Sequence, residues 1–283
     1  MNMTKQHPSI GKVILAGAGS GDPELITVKA ARCLQQAEIV LTDRLVSDAI
    51  LKAYVSPEAE IIYVGKQCRR GVSTPQATIN ELLVEYALAG KYVVRLKGGD
   101  VSIFSNVLDE LQVLTQHKIP YEIVPGVTAA LGAAAYAGIP LTARGYSTAV
   151  RLLTYYKSDV VTEAYWKELA ATDDTLVFYM SADTLDMVVD KLVKYGVAAD
   201  KLLAVAEQAT TPLQHIHTCS LYDYENTLKG QRLVSPSLVI IGKVVALHAQ
   251  FAWLPNSGSK EHYFKPVAEI KPAAHTGAIA LSA

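Results

Sequence analysis

The sequence predicts two α/β domains, the first around a mainly parallel sheet and the second around a mixed one. Three observations carry this. Short runs rich in Val and Ile alternate with helical patterns from Val13 to Ile241, which is the signature of βα units. The runs in the first half are apolar nearly throughout, as strands covered on both faces should be. Midway, Gly138-Ile-Pro-Leu-Thr-Ala-Arg-Gly145 interrupts the pattern with two glycines, a proline and no periodicity, and reads as an interdomain connection. The expected domains are therefore 11–140 and 146–254.

Taken in order, Val13-Ile-Leu-Ala-Gly17 is the first strand. Asp22 is expected to cap the next helix, with Pro23 at its first position and Glu24 in its first turn. Ile39–Thr42 and Ile61–Val64 follow as strands, then a helix from Pro75, capped by Thr74 and stopped near Gly90. Tyr92–Leu96 and Tyr121–Val124 complete the first sheet. In the second half, Val150–Thr154, Thr175–Tyr179, Leu203–Ala206 and Leu238–Ile241 read as strands, with a helix over 184–195 ended by Gly196. Gln214-His-Ile-His-Thr-Cys219 alternates polar and apolar residues, so it predicts a half-exposed antiparallel strand. Residues 255–283 carry Gly, Ser, Lys, Pro and Ala without periodicity and are expected to be a largely disordered tail.

Composition narrows the function. Hydrophobic residues make up 50% and charged ones 19% of the 283, which excludes a disordered chain. A formal net charge of -1 excludes a general nucleic-acid binder, so an anionic ligand must meet a local basic patch. The three cysteines, Cys33, Cys68 and Cys219, lie far apart, which argues against a disulfide framework or a cysteine zinc site. They fit a reducing, cytoplasmic setting. The first residues lack the apolar core of a signal peptide. Val127–Leu141, the longest bland stretch, is too short to span a membrane. His215 and His217 share a strand face, but no third ligand accompanies them, so no metal site is expected.

Three glycine turns follow strands of the first half: Gly17-Ala-Gly-Ser-Gly-Asp22, Lys97-Gly-Gly-Asp100 and Pro125-Gly-Val-Thr-Ala129. Open α/β sheets bind ligands at the carboxyl ends of their strands. Glycines there admit close backbone approach, and helix N-termini attract negative charge. The first turn points to a nucleotide-type ligand, but a dinucleotide fingerprint needs Gly or Ala where Asp22 stands. Asp43, ending the second strand, imitates a ribose-binding acid, yet Arg44 follows it at once. A tight structural turn is the competing reading. A carboxylate after two glycines, as at Asp100, suits a cationic or hydroxylated ligand better than a phosphate.

Together these runs resemble the tetrapyrrole methylase family, and within it the enzymes that C-methylate uroporphyrinogen III. The resemblance covers about Gly11 to Trp253. It rests on Val13-Ile-Leu-Ala-Gly-Ala-Gly, Gly21-Asp-Pro-Glu-Leu-Ile-Thr, Thr42-Asp-Arg-Leu-Val-Ser, Val94-Arg-Leu-Lys-Gly-Gly-Asp100, Val124-Pro-Gly-Val-Thr-Ala-Ala130, Ala135-Tyr-Ala-Gly-Ile-Pro-Leu-Thr142, Leu176-Val-Phe-Tyr-Met180 and Ser235-Pro-Ser-Leu. It implies two α/β domains with S-adenosylmethionine in a cleft between them, a homodimer, and a transferase that makes precorrin-2 for sirohaem or cobalamin. By matching motifs it implies cofactor contacts from Ser20, Gly98, Gly99, Asp100, Ile103, Thr128, Ala129, Met180 and Ala209. It implies Asp43 as proton acceptor and Lys66 as proton donor, against the bland readings of a helix-capping acid and a surface lysine. An octacarboxylate substrate needs cations; Arg44, Arg144 and Arg151 are the candidates, with Arg69 and Arg70 equally readable as solvated charge. No dehydrogenase or ferrochelatase segment is read here, so later steps are expected of other proteins.

The chain departs from the family pattern in one place above all. After Gly99-Asp100 the family reads Pro-Phe-Ile-Phe-Gly-Arg-Gly-Gly-Glu-Glu, whereas this chain has Val101-Ser-Ile-Phe-Ser-Asn-Val-Leu-Asp-Glu110. A glycine-rich loop with an arginine becomes an ordinary helix start without a cation, which costs the loop conformational freedom. Ser181 and Ala209 also replace glycines. Two alternatives therefore stand beside uroporphyrinogen methylation: transfer to another precorrin or acceptor, and a non-catalytic protein that binds S-adenosylmethionine or a tetrapyrrole.

Overall fold

The computed structural model describes residues 10–64, 74–156 and 161–264. They fall into two compact units: 10–18, 23–126 and 264 in the first, 19–22 and 127–263 in the second. The division at 126/127 precedes the connection read at 138–145. The helix after the Pro125 turn thus groups with the second sheet.

The first unit holds β1 (Lys12–Gly17), β2 (Ile39–Thr42), β3 (Glu60–Tyr63), β4 (Tyr92–Lys97) and β5 (Tyr121–Val124) in the order β3-β2-β4-β1-β5, all parallel. Because β1 and β4 are neighbours, the chain leaves β1 to one side and β4 to the other, which makes their carboxyl ends a switch point where such sheets bind ligands. Four helices cover the sheet: α1 (Val28–Gln36), α2 (Asp48–Tyr54), α3 (Gln76–Leu88) and α4 (Val107–Gln116). Val13, Leu15, Leu41 and Val93 pack with Ile79 and Leu83 of α3 and Leu114 of α4. The alternate residues Ile14, Val40, Val94 and Leu96 pack with Ala30 and Leu34 of α1 and Ile50 of α2. Strand side chains alternate between faces, so unbroken apolar runs serve two helical layers. The edge strands depart from that expectation: Ile61 in β3 and Tyr121 and Ile123 in β5 are exposed.

Two caps fall elsewhere than predicted. Thr27, not Asp22, caps α1, its hydroxyl accepting from the Ala30 amide at 3.2 Å. Asp22 precedes only a single 3-10 turn over Pro23–Leu25. At α3 the N-cap position is Pro75, with no side-chain cap from Thr74. Asp43 is not a helix cap either, since Ser47 caps α2.

The second unit opens with α5 (Ala129–Ala137). It then forms β6 (Val150–Thr154), α6 (Glu163–Ala171), β7 (Thr175–Tyr179), α7 (Leu185–Lys194), β8 (Leu202–Glu207), β9 (His215–Ser220) and β10 (Ser237–Gly242). The sheet order is β6-β7-β10-β8-β9, with β6 and β7 parallel and the other pairings antiparallel. This is the mixed sheet expected, and β9 is the half-exposed antiparallel strand. Trp166 of α6 and Val188 and Leu192 of α7 bury against Phe178, Val205 and Ile241.

The segment after residue 255 is held more firmly than its composition implies. Asn256 accepts from the Ile216 amide at 2.7 Å and donates to its carbonyl at 2.9 Å. Gln208 donates to the Glu261 carbonyl and accepts from the Tyr263 amide. Side-chain brackets of this kind leave no periodic trace in a sequence. Residues 265–283 lie outside the described residues.

Candidate active site

In the first unit the three glycine turns meet at the carboxyl ends of β1, β4 and β5. A Cβ on Gly126 would lie 2.3 Å from the Gly99 carbonyl, and one on Gly17 would lie 2.6 Å from the same oxygen. These glycines therefore let the turns pack on one another. Asp100 ties them together: one oxygen accepts from the Ser102 amide at 2.8 Å and hydroxyl at 2.6 Å, the other from the Gly126 amide at 2.9 Å. Burial opposes the charge on Asp100, but these donors outweigh it and hold the carboxyl below its usual range. Asp100, expected to touch the ligand, has both oxygens engaged in fixing the turn.

Asp43 lies just past β2, and its turn abuts the β4 turn: a Cβ on Gly98 would come 2.6 Å from the Leu45 Cβ. The Asp43 carboxylate accepts from Arg95 Nη2 at 2.5 Å. Arg95 is itself 3% exposed and donates from Nε to Glu110 at 3.0 Å, and from Nη1 to the carbonyls of Leu41 and Leu96, each at 3.2 Å. Lys97 Nζ reaches both oxygens of Glu110, at 2.9 and 3.0 Å. The origin of this network is simple. Val93, Arg95 and Lys97 point to the same face of β4, and Glu110 stands in the first turn of α4, where the helix dipole favours an anion. Burial works against the Arg95 charge, but Asp43 and Glu110 more than offset it, so the guanidinium holds its proton more tightly than usual. Burial and then repulsion from Arg95 push the Lys97 ammonium down.

The altered loop follows directly. Phe104 and Asn106 adopt φ of 50° and 54°, while Ser105, Val107 and Leu108, where the family has glycines, do not need that region. Asn106 tolerates it and donates to Asp109 at 2.8 Å; Phe104 is strained there. Ile103, just before Phe104, is half-buried.

In the second unit, β6, β7 and β8 end on one edge of the sheet. Met180, Gln208 and Thr210 there have φ of 54°, 46° and 65°, so Ala209 sits between two strained residues. Met180 is 49% exposed, and the Tyr156 hydroxyl lies 3.1 Å from its sulfur. Of the six non-glycine residues with positive φ among those described, five follow β4, β7 or β8. Such strain concentrates at functional sites. Ser20 belongs to a hydroxyl chain: Thr210 Oγ1 donates to Ser20 Oγ at 3.2 Å and accepts from the Asp22 amide at 3.3 Å. Tyr136 donates to the Asp22 carboxylate at 2.5 Å. Thr128 and the Ala130 amide, at the start of α5 beside Ala129, bond the Tyr179 hydroxyl at 2.7 and 3.0 Å.

The candidate cations separate. Arg44 is half-buried beside Asp43, and Arg144 is exposed on the turn over 143–147. Arg151 departs from the expectation. Its guanidinium pairs with Asp174 at 2.5 Å and Glu168 at 2.6 Å, at the end of β6 opposite Tyr155, so its charge is already met. Lys66, Arg69 and Arg70 lie outside the described residues. Among the described residues no group of three or more His, Cys, Asp or Glu could hold a metal, and no helix is long and apolar enough to cross a membrane. The residues that reading by motif left without a role are Arg95, Glu110 and Tyr179. The first two had a visible signal: paired cations at alternate positions of an apolar strand, followed by an acid in the next helix.

Comparison with known proteins agrees with this geometry. A siroheme synthase from Pseudomonas fluorescens (strain Pf0-1) is 46% identical over 86% of this chain and 52% of its own length. The chain thus spans about half the length of the curated relatives it matches. A uroporphyrin-III C-methyltransferase from Thermus thermophilus, solved with S-adenyl homocysteine, superposes with a TM-score of 0.70 at 34% identity, over 84% of this chain and all of that one. A cobalt precorrin-4 methyltransferase superposes with a TM-score of 0.73 at 27% identity, over 83% of this chain and 95% of that one. The family model of tetrapyrrole (corrin/porphyrin) methylases matches residues 12–225. That span covers the first sheet and every strand of the second but β10, and the chain belongs to the tetrapyrrole methylase family.

Proposed function

We propose that this protein transfers methyl groups from S-adenosylmethionine to carbon atoms of uroporphyrinogen III, giving precorrin-2. The observation that carries the reading is the abutment of the Asp43 turn on the Gly98-Gly99-Asp100 turn at neighbouring strand ends. It sets a partly exposed acid beside a ligand-type backbone turn. The turns offer carbonyls, amides and hydroxyls, with the nearby cations drawn inward to Glu110. That donor set fits a sulfonium with a ribose better than a phosphate. S-adenosylmethionine, when bound, supplies an activated methyl. By matching motifs the candidate contacts are Ser20, Gly98, Gly99, Ile103, Thr128, Ala129, Met180 and Ala209, with Asp100 holding its turn in shape.

As a pyrrole carbon gains the methyl, the ring becomes cationic and a proton must leave it. Asp43 takes that proton, and Lys66 returns one where the double bonds shift. Arg44 and Arg144 meet substrate carboxylates. Holding the acceptor in line with the methyl supplies much of the rate. The altered loop at 101–108 favours a second reading, transfer to a different precorrin, in line with the likeness to a precorrin-4 enzyme.

Incubating the protein with S-adenosylmethionine and uroporphyrinogen III, and following precorrin-2 by absorbance and mass, tests the first reading. Cofactor binding without product, together with methylation of a later precorrin, would replace it with the second. Lys66→Met should lower kcat about a hundredfold while sparing cofactor affinity. A change in KM alone would make Lys66 a carboxylate anchor.

A further inference from the structure

The buried charges behind Asp43 are more than a family motif needs for packing. Four ionisable groups, Asp43, Arg95, Glu110 and Lys97, form a line in which only Asp43, at 26% side-chain exposure, reaches solvent. The other three are at most 4% exposed. Burying such a set is costly, and apolar residues of equal volume would stabilise the fold as well or better. The arrangement is also directional. Arg95 spends Nε on Glu110 and Nη1 on two main-chain carbonyls, so its remaining edge can present Nη2 to Asp43 in one orientation. The guanidinium fork is planar and rigid, unlike an ammonium.

We infer that Arg95 is a positioning residue: braced by Glu110 and Lys97, it holds the Asp43 carboxylate in the one orientation in which it receives the substrate proton. This rests on the proposed role of Asp43. The Glu110–Lys97 pair keeps Arg95 from turning inward and balances its charge, so the line is neutral overall and Asp43 is its single outlet. No covalent step is added to the reaction; the proton still passes from the cationic ring system to Asp43.

The test uses the full chain and a cycle of variants. The triple variant Arg95→Met, Lys97→Met and Glu110→Leu removes the buried charges together, which leaves none of them unpartnered. It should lower kcat by on the order of a hundredfold, the cost of a misplaced catalytic group, with KM and S-adenosylmethionine affinity nearly unchanged. In an Asp43→Asn background the same three changes should lower kcat no further, because their effect passes through Asp43. An equal fold-loss in both backgrounds overturns the inference. If the triple variant does not fold, Arg95→Lys replaces it: the ammonium lacks the fork, and the same loss and the same non-additivity are expected. A crystal structure of the variant gives a reading free of activity. The Asp43 side chain should leave its single orientation, and an unmoved carboxylate overturns the inference. A parent protein without methyl transfer would overturn the functional reading instead, and the Asp43 orientation would still judge Arg95.

Discussion

Two arginines, each on a strand and each held by two carboxylates, behave differently because of where they sit. Arg95 lies mid-sheet between Asp43 and Glu110 at 3% exposure, whereas Arg151 lies at an exposed sheet end between Asp174 and Glu168 at 31%. In both, the neighbouring carboxylates raise the guanidinium's hold on its proton, although at Arg95 burial first works against it. Around Arg151 water screens every charge, so the cluster contributes little and could be dispersed without loss. Around Arg95 the low-dielectric interior makes each partner indispensable once the others are present. The contrast teaches that a basic residue in a motif is best judged by what already neutralises it. Arg151 was a candidate for substrate carboxylates, yet its charge is met locally. Arg95 drew no role from its motif, yet it grips the proposed proton acceptor.

The comparison can be broken most directly by truncating each arginine. Arg95→Met alone should destabilise the protein by about 3–5 kcal/mol, because it breaks a buried ion pair and takes the donor from Asp43 and from the carbonyls of Leu41 and Leu96. Arg151→Met should cost about 0–1 kcal/mol. Urea denaturation of both variants with the parent checks the pair. Equal losses would show that burial does not separate the two clusters.

A second prediction concerns the packed turns beside Arg95. Gly126→Ala should cost about 1–3 kcal/mol and weaken cofactor binding, since its Cβ would press on the Gly99 carbonyl at 2.3 Å. Calorimetric titration and thermal melting would register both. Gly196→Ala, where a Cβ meets nothing within 4 Å, strains only its φ of +74° and should spare the cofactor.

The neutral network of the second unit should respond less. Tyr179→Phe removes the partner of Thr128 and of the Ala130 amide, a loss of about 1 kcal/mol readable by denaturation. An effect as large as that of Arg95→Met would mean that hydroxyl chains here matter as much as buried charge.

The smallest effect is one of pH. The Asp100 carboxyl is held below its ordinary value of 3.8, so its bonds add stability above about pH 4 that is lost as pH falls through the lowered value. Asp100→Asn should therefore be less stable than the parent at neutral pH, with the gap narrowing below about pH 4. A gap that widens on acidification would reverse the assignment.

Much of the fold was legible in order and spacing. Strands such as β2, β5, β6 and β7 were bounded to the residue because period-two burial and apolar runs are local properties of a chain. The family was legible too, since turns such as Lys97-Gly-Gly-Asp100 recur as contiguous strings. Other features needed the tertiary structure. Asp22 carries every mark of an N-cap, but Thr27 holds that position while Asp22 accepts from Tyr136, 114 residues away. Asn256 fastens a segment of tail-like composition to β9 through two bonds to one residue.

By itself the sequence determined the two α/β sheets, their strands, the family, and which turns carry ligand-type glycines. These follow from local pattern, because hydrophobic periodicity and turn chemistry act over a few neighbouring residues. Only the tertiary structure decided that Asp100 braces the turns, that Arg151 is already paired, and that Arg95 joins Asp43 to Glu110. Each of these rests on a contact between distant positions: Asp100 reaches Gly126 at 26, Arg151 reaches Asp174 at 23, and Arg95 reaches Glu110 at 15 and Asp43 at 52. A charge in a sequence states only its sign. Its burial and its partners, which set its energy and its use, exist only once the sheet and helices bring distant segments together.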